Sequence, residues 1–387
     1  MPCRSHRSRR VHHRAAWPPL AAALAVIAAP PRTAMSQQGF DLSASVTLSE
    51  SYDDNVFAVP KDRRQDVVSC LTPRLGLAYR SPRVSVLAQY ARDAEAFSRN
   101  PELTTLRARQ EATVDAQWSP GAGFELAGTA SYAETQSPSE LAVITDFEFA
   151  GLELRRSLAH RFSTTQSLSR RLGGRTTALA EHSFSEDEIV GGLASVTRVA
   201  GLRLMRQIGP VDTFDAAYAH RQFLAGGDGT RSHVLTLTWA REVTSRAHLQ
   251  LKAGPRWSGG TLAPELAATL RHRFRRGDTT LAYVQTETSV IGHPSPVTAQ
   301  GLSLRVTHAL RRTLTVTAGP SVFQARGQAL EATVYRLGLD VAWRLRRHLS
   351  VEGSHQLSLQ YGELDGRPRG EIVHNTVLFR LVAGSID

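Results

Sequence analysis

The residues of this chain that could do chemistry fall into three groups. Asp53-Asp54-Asn55 bunches oxygen donors of the kind that hold a hard cation such as calcium. The bunch lacks the spacing of a calcium loop, however, and such residues bond their own backbone in Asx turns, so turn chemistry is the expected role. His182-Ser183 and Ser354-His355 pair a base with a hydroxyl. Neighbours in a strand point to opposite faces, so neither pair can act as nucleophile and base if these segments are strands. No nucleophile elbow, paired acids, glycine-rich phosphate loop or Cys/His metal spacing accompanies them. The chain is therefore read as no enzyme, with no catalytic residue, metal or cofactor. The third group is the largest: Arg107, Arg109, Glu111, Asp115, Arg203, Arg271, Arg305, Arg336 and Asp340 sit at alternate positions between apolar residues. Such charges can lace the inner wall of a barrel into ladders, which is the preferred reading, or make a pore selective for anions or acidic sugars.

What must position them are strands. From Leu106 one phase reads Leu, Ala, Gln, Ala, Val, Ala, Trp up to Trp118, and the other Arg107, Arg109, Glu111, Thr113, Asp115, Gln117. The same period of two runs through 335–346 and 349–361, where a helical period would mix the classes. Fifteen further runs, beginning near 40–50 and ending with 371–382, bring the count to about 18 strands, with 16 as the alternative because 146–172 can be parsed differently. Each run is long enough for a tilted membrane strand of roughly 9–11 residues. Tyr79, Trp118, Trp239, Phe274 and Trp343 each end a run just before a short, often basic turn. Amphipathic rings at one level mark a membrane–water boundary. Short turns alternate with longer polar connections at 51–66, 135–150, 186–192, 225–230, 291–298 and 362–370. The expectation is an all-β, transmembrane, antiparallel up-and-down β-barrel with both termini on the periplasmic side. A soluble sandwich would instead gather its aromatics into a core.

Charge and the N-terminus agree with export. The formal charge is +11, but six basic residues lie in the first 36 positions, leaving 40 basic against 35 acidic residues. A surplus of about five, spread among apolar residues, argues against a nucleic-acid partner. Residues 1–36 read as a signal peptide, with a basic region from Arg4 to Arg14, an apolar core from Leu20 to Ala29 and a cleavage site at Ala34-Met35-Ser36. Residues 37–387 form the barrel, bound for the outer membrane of a Gram-negative cell. Cys70 is then the one cysteine of the mature chain and a small lumen-facing residue.

Three segments resemble a known family. Ser51-Tyr52-Asp53-Asp54-Asn55-Val56-Phe57 is similar to the Tyr-Asp-(Asp/Ser)-Asn-(Val/Ile)-Phe segment near the start of a group of outer-membrane beta-barrel porins, including barrels associated with exosortase and exopolysaccharide loci. Leu168 through Thr176 resembles their turn pattern, and Tyr132-Ala133-Glu134-Thr135 followed by Glu140-Leu141 is a third likeness. The resemblance spans roughly 40–382. It implies residence in the outer membrane, with its lipid, the barrel assembly machinery and polysaccharide-export components as partners, and it carries over no catalytic residue. The chain departs from the pattern at its end, where Val382 to Asp387 trail beyond the outward Val377, Phe379 and Leu381. The function read first is a channel for polar solutes, anionic saccharides among them. The alternatives are a non-conducting structural or assembly barrel of an exopolysaccharide or exosortase system and, third, a barrel-embedded hydrolase. An open pore requires that loops 51–66 and 135–150 stay out of the lumen.

Overall fold

The computed structural model describes residues 39–141, 152–226, 228–328, 330–364 and 370–384. The segment 1–36, read from the sequence as a signal peptide, lies outside the described residues. Eighteen strands follow one another: β1 (Gly39–Asp53), β2 (Asp66–Arg80), β3 (Val84–Phe97), β4 (Thr105–Gly121), β5 (Phe124–Thr135), β6 (Ala159–Arg171), β7 (Thr176–Ile189), β8 (Ala194–Gln207), β9 (Asp212–Ala225), β10 (Asp228–Thr244), β11 (Ala247–Ser258), β12 (Thr261–Phe274), β13 (Gly277–Thr288), β14 (Val297–Arg311), β15 (Leu314–Arg326), β16 (Leu330–Arg346), β17 (Leu349–Leu364) and β18 (Gly370–Gly384). Each pairs antiparallel with its neighbours in sequence, and β1 closes on β18 from Ser45↔Gly384 to Asp53↔Thr376. The sheet has no free edge, so the count is 18 rather than 16. The weakly patterned first strand is held from both sides, by β2 and β18.

At one end two to four residues separate consecutive strands, and at the other the separation ranges from two residues between β9 and β10 to 23 between β5 and β6. The expected asymmetry is weaker than the sequence suggests. Within the polar stretch 225–230, Ala225 pairs with Asp228, and Gly226 after β9 has a φ of 60° that suits glycine. Gly259-Gly260 (φ 54° and 82°) makes a tight hairpin.

Register assigns every side chain a face. On β16, Tyr335, Leu337, Leu339, Val341 and Trp343 all point outward and are exposed, Leu337 at 47% and Trp343 at 51%. On the same strand Leu330, Ala332 and Val334 point inward and are 1–2% exposed. An apolar band turned outward on a closed sheet, over a wall that carries most of the charge inward, is the arrangement for lipid, and it makes this a transmembrane barrel. Among the described residues no helix is long and apolar enough to cross a membrane.

The five aromatics read from the sequence are all on outward phases at the short-turn end. Tyr79 stacks near Phe40 (4.9 Å) and Phe274 against His308 (5.8 Å), and the Trp239 indole donates to Asp212 (3.0 Å). A second outward band, unread in the sequence, lies toward the other end. It includes Tyr90, Tyr132 and Phe162, in register through Ala112, and Tyr335 beside Tyr361 (6.3 Å). Tyr335 and Trp343 are eight residues apart. That is about 26 Å along the strand and about 20 Å along the normal at a 40° tilt, close to the height of a barrel's apolar band.

Candidate functional site

The described residues 152–158, which lead from the β5–β6 connection into β6, do not stay outside the barrel. Leu152 is 1% exposed and packs among inward residues of the facing wall: Val284 of β13, Val297 of β14, Phe323 of β15 and Val334 of β16. β6 and β15 lie nine strands apart in a ring of 18, so residues 152–158 cross the lumen from one wall to the other. We call this segment the strap. Apolar burial seats it, since a leucine removed from water is stabilised by roughly 2 kcal/mol.

Next to Leu152 sits a carboxylate with a partner at each oxygen. Arg336 of β16 donates to Glu153 Oε1 (2.9 Å), and the His374 ring of β18 meets Oε2 through Nδ1 (3.1 Å). The other His374 nitrogen reaches Asp53 Oδ1 (3.0 Å). Gln360 of β17 brackets the strap backbone, accepting from the Glu153 N–H (2.8 Å) and donating to the Glu153 carbonyl (3.1 Å). Glu153 is 3% exposed. Burial alone would raise its carboxyl, but the hydrogen bond and charge of His374, with Arg336, hold it at about 2. A buried charge so paired is costly to break from either side.

The strap is moored on the near wall as well. Arg156 pairs with Glu95 of β3 (3.2 Å) and lies over the Phe97 ring (4.9 Å). The Leu154 N–H donates to Ser139 Oγ (2.7 Å), beside the helical turn Pro138–Glu140. Leu141 and Ile291, from the β5–β6 and β13–β14 connections, pack on Ala159. The β1–β2 connection also folds in, with Val56 and Phe57 against Val68, Phe97 and Leu103. Asp53-Asp54-Asn55 does form an Asx turn, the Asn55 N–H donating to Asp53 Oδ1 (2.7 Å). It also ties to β18, where Asn55 Nδ2 donates to the Val373 carbonyl (3.0 Å) and the Asn375 N–H to Asp54 (2.7 Å). Among the described residues no group of three or more His, Cys, Asp or Glu is placed to hold a metal.

Of the charged residues singled out in the sequence, eight point inward. Arg109 bridges Glu111 (2.9 Å) and Glu140 (3.5 Å). Asp115 accepts from Thr129 (2.8 Å). Arg203 pairs with Asp215 (3.3 Å), Arg271 with Asp278 (3.6 Å) and Arg336 with Glu153. Arg305 and Asp340 belong to the same inner face of β14–β16. Arg107 departs from expectation. Its guanidinium grips Glu134 (2.7 Å), which shares the outward face of Tyr132, so it lies on the outer rim rather than in the lumen. The cause is a bulge in β4, where Thr105 to Arg109 spans what Asp93 to Glu95 spans on β3.

Alternation alone passed over a deeply buried ionic group of the wall. Glu265 of β12 takes Arg221 (2.7 Å), Arg256 (3.1 Å) and the Thr286 hydroxyl (2.7 Å). It also passed over Glu153, His374 and Gln360 as a unit, though a lone acid between Leu152 and Leu154 was a signal of burial. The Ser/His neighbours are divided between faces. His182 bonds Gln166 (3.0 Å) and His355 bonds Asn375 (2.7 Å) on the outer side, while Ser183 and Ser354 take the inward phase. Cys70 is inward, beside Thr72.

No family model matches the chain, and no curated protein sequence matches it. Similar solved structures include OccK11 (OpdR) of Pseudomonas aeruginosa, 12% identical over 90% of this chain and 98% of that one, with a TM-score of 0.49. OccK9 (OpdG) of the same organism is 10% identical over 89% and 98%, TM-score 0.49. The siderophore receptor PirA from Acinetobacter baumannii is 6% identical over 90% and 81%, TM-score 0.47. Likenesses of that degree carry no argument about this chain, whose architecture is read from its own strand pairing.

Proposed function

We propose that the protein is an outer-membrane channel for polar solutes, with its long-connection end outside the cell and the strap as its gate. One observation carries the reading: a chain segment crosses the lumen and is latched to the far wall through a single buried carboxylate, Glu153. The inner wall between the two aromatic levels is lined by small and polar residues such as Ser163, Thr165, Ser167, Gly201 and Thr238, which suits water and hydrophilic cargo. The inward arginines, most of them laddered to acids, leave room for anionic saccharides as cargo. A link to exopolysaccharide export is supported by the Ser51–Phe57 resemblance. The division of Ser and His between faces supports a non-enzymatic role. A second reading, a structural barrel without conduction, is favoured by the three connections that pack into the lumen end.

Conductance of the mature chain in planar bilayers separates the two. Glu153→Gln leaves Arg336 without its anion and His374 with Asp53 alone, and breaking such a buried pair costs about 3–5 kcal/mol. The open fraction should therefore rise at least about 100-fold over wild type at neutral pH. The sign for acid follows from a carboxyl lowered in the folded state from 4.5 to about 2. Its stabilisation is complete above about 4.5 and is lost as pH falls through about 2. Wild-type openings should become more frequent across that window, while Glu153→Gln should not change there. A variant as silent as wild type at every pH would sink the channel reading in favour of the structural barrel.

A further inference from the structure

The outer wall carries two cations that make no ion pair with a protein anion among the described residues. Arg198 of β8, Gln222 of β9 and Arg231 of β10 are directly paired neighbours, all on outward phases. Arg198 lies over the Phe184 ring (5.9 Å) and makes no ion pair, and Arg231 makes none either, among the described residues. One outward step below them are His220 and His233, rings 4.7 Å apart. Tyr218 Oη bonds His233 Nδ1 (2.8 Å), and His220 Nδ1 is buried with no partner.

Depth is fixed by register. Arg206, Phe214 and Trp239 form a second paired row on the same three strands, eight residues nearer the short-turn end on each strand. Trp239 and Phe214 belong to the aromatic level at that end. Eight residues span about 20 Å of membrane normal. The arginine row therefore falls at the opposite headgroup level. Between the rows the outward residues are apolar and exposed, Leu202 at 63% and Leu237 at 64%, a surface for acyl chains.

We propose that Arg198, Gln222 and Arg231, with His220 and His233 beneath, form a docking site for the phosphate-bearing headgroup of an outer-leaflet glycolipid. The two guanidinium forks supply bidentate donors that match phosphate, the amide supplies a neutral donor between them, and the leucines below take the acyl chains. Cations at a membrane surface are drawn to the anions there, and the headgroup layer is where phosphates are concentrated. The proposal rests on the outer-membrane reading for which leaflet this is.

Native mass spectrometry of the folded barrel in detergent, titrated with diphosphorylated lipid A, tests it. Wild type should retain one lipid. R198E/R231E should bind at least about 25-fold more weakly, at about fivefold per cation removed from an anionic surface. Arg326→Glu, outward on β15 and away from the patch, should bind like wild type. The same lipid stripped of its phosphates should bind the wild type no better than the double variant does. Heat-modifiable migration confirms folding, and R198Q/R231Q serves if the reversed charges prevent it. Equal binding of the phosphate-free lipid, or an unchanged double variant, would overturn the site. A dimer peak lost in the double variant would assign the surface to a second copy of this chain instead. A chain that never inserts into lipid counts against the membrane reading, whereas an inserted chain blind to the phosphates counts against this one.

Discussion

Leu339→Arg is expected to destabilise the barrel by about 2–4 kcal/mol in lipid vesicles, the cost of an arginine at the midplane of a barrel's lipid face. Leu339 is outward and midway between Tyr335 and Trp343, four residues from each. Asp340, one residue along, is inward and opposite Ser354 and Thr317, in a polar wall. Asp340→Arg should cost far less, because its side chain stays in water. Reversible unfolding in urea gives both values. Equal losses would mean that the faces of β16 are wrongly assigned.

Glu265→Ala should cost more still, about 3–5 kcal/mol, by stranding Arg256 and Arg221 around an empty site. Arg256 is 2% exposed, so water cannot replace the lost carboxylate. The wetter pair Arg203–Asp215 offers the contrast, because Arg203 is nearly half exposed and Arg203→Ala should fall within about 1 kcal/mol. If both substitutions cost the same in one denaturant series, the Glu265 cluster is hydrated and does not brace the wall.

Strand number and facing were legible because a period of two repeats within each strand, and Trp118 or Trp343 beside a turn marks the short-turn end on the outward face. The second aromatic level was not, because Tyr90 lies inside its run, while Tyr132 and Tyr335 stand at run ends that face long connections instead of the short turns that flag the first level. Arg107 was misassigned because the phase was carried straight through a bulge that only pairing with β3 reveals. The latch at Glu153 was illegible for a different reason. Glu153 meets Arg336, Gln360 and His374, partners 183, 207 and 221 residues away, and no local pattern encodes such contacts. What the sequence did pose was the deciding question, whether the long connections fold inward. They do, at Val56-Phe57, at Leu141 and along the strap.

The central claim is that the strap closes the lumen, and tethering it tests that most directly. In a Cys70→Ser background, Glu153→Cys with Gln360→Cys removes the latch and places two thiols where the strap meets β17. Single-channel recording should show frequent large openings while the thiols are free. Joining them with a short thiol cross-linker should return the channel to near silence, and cleaving the linker should restore the openings. Identical conductance in the free, linked and released states would contradict the account, since the strap would then have no hold on the path through the barrel.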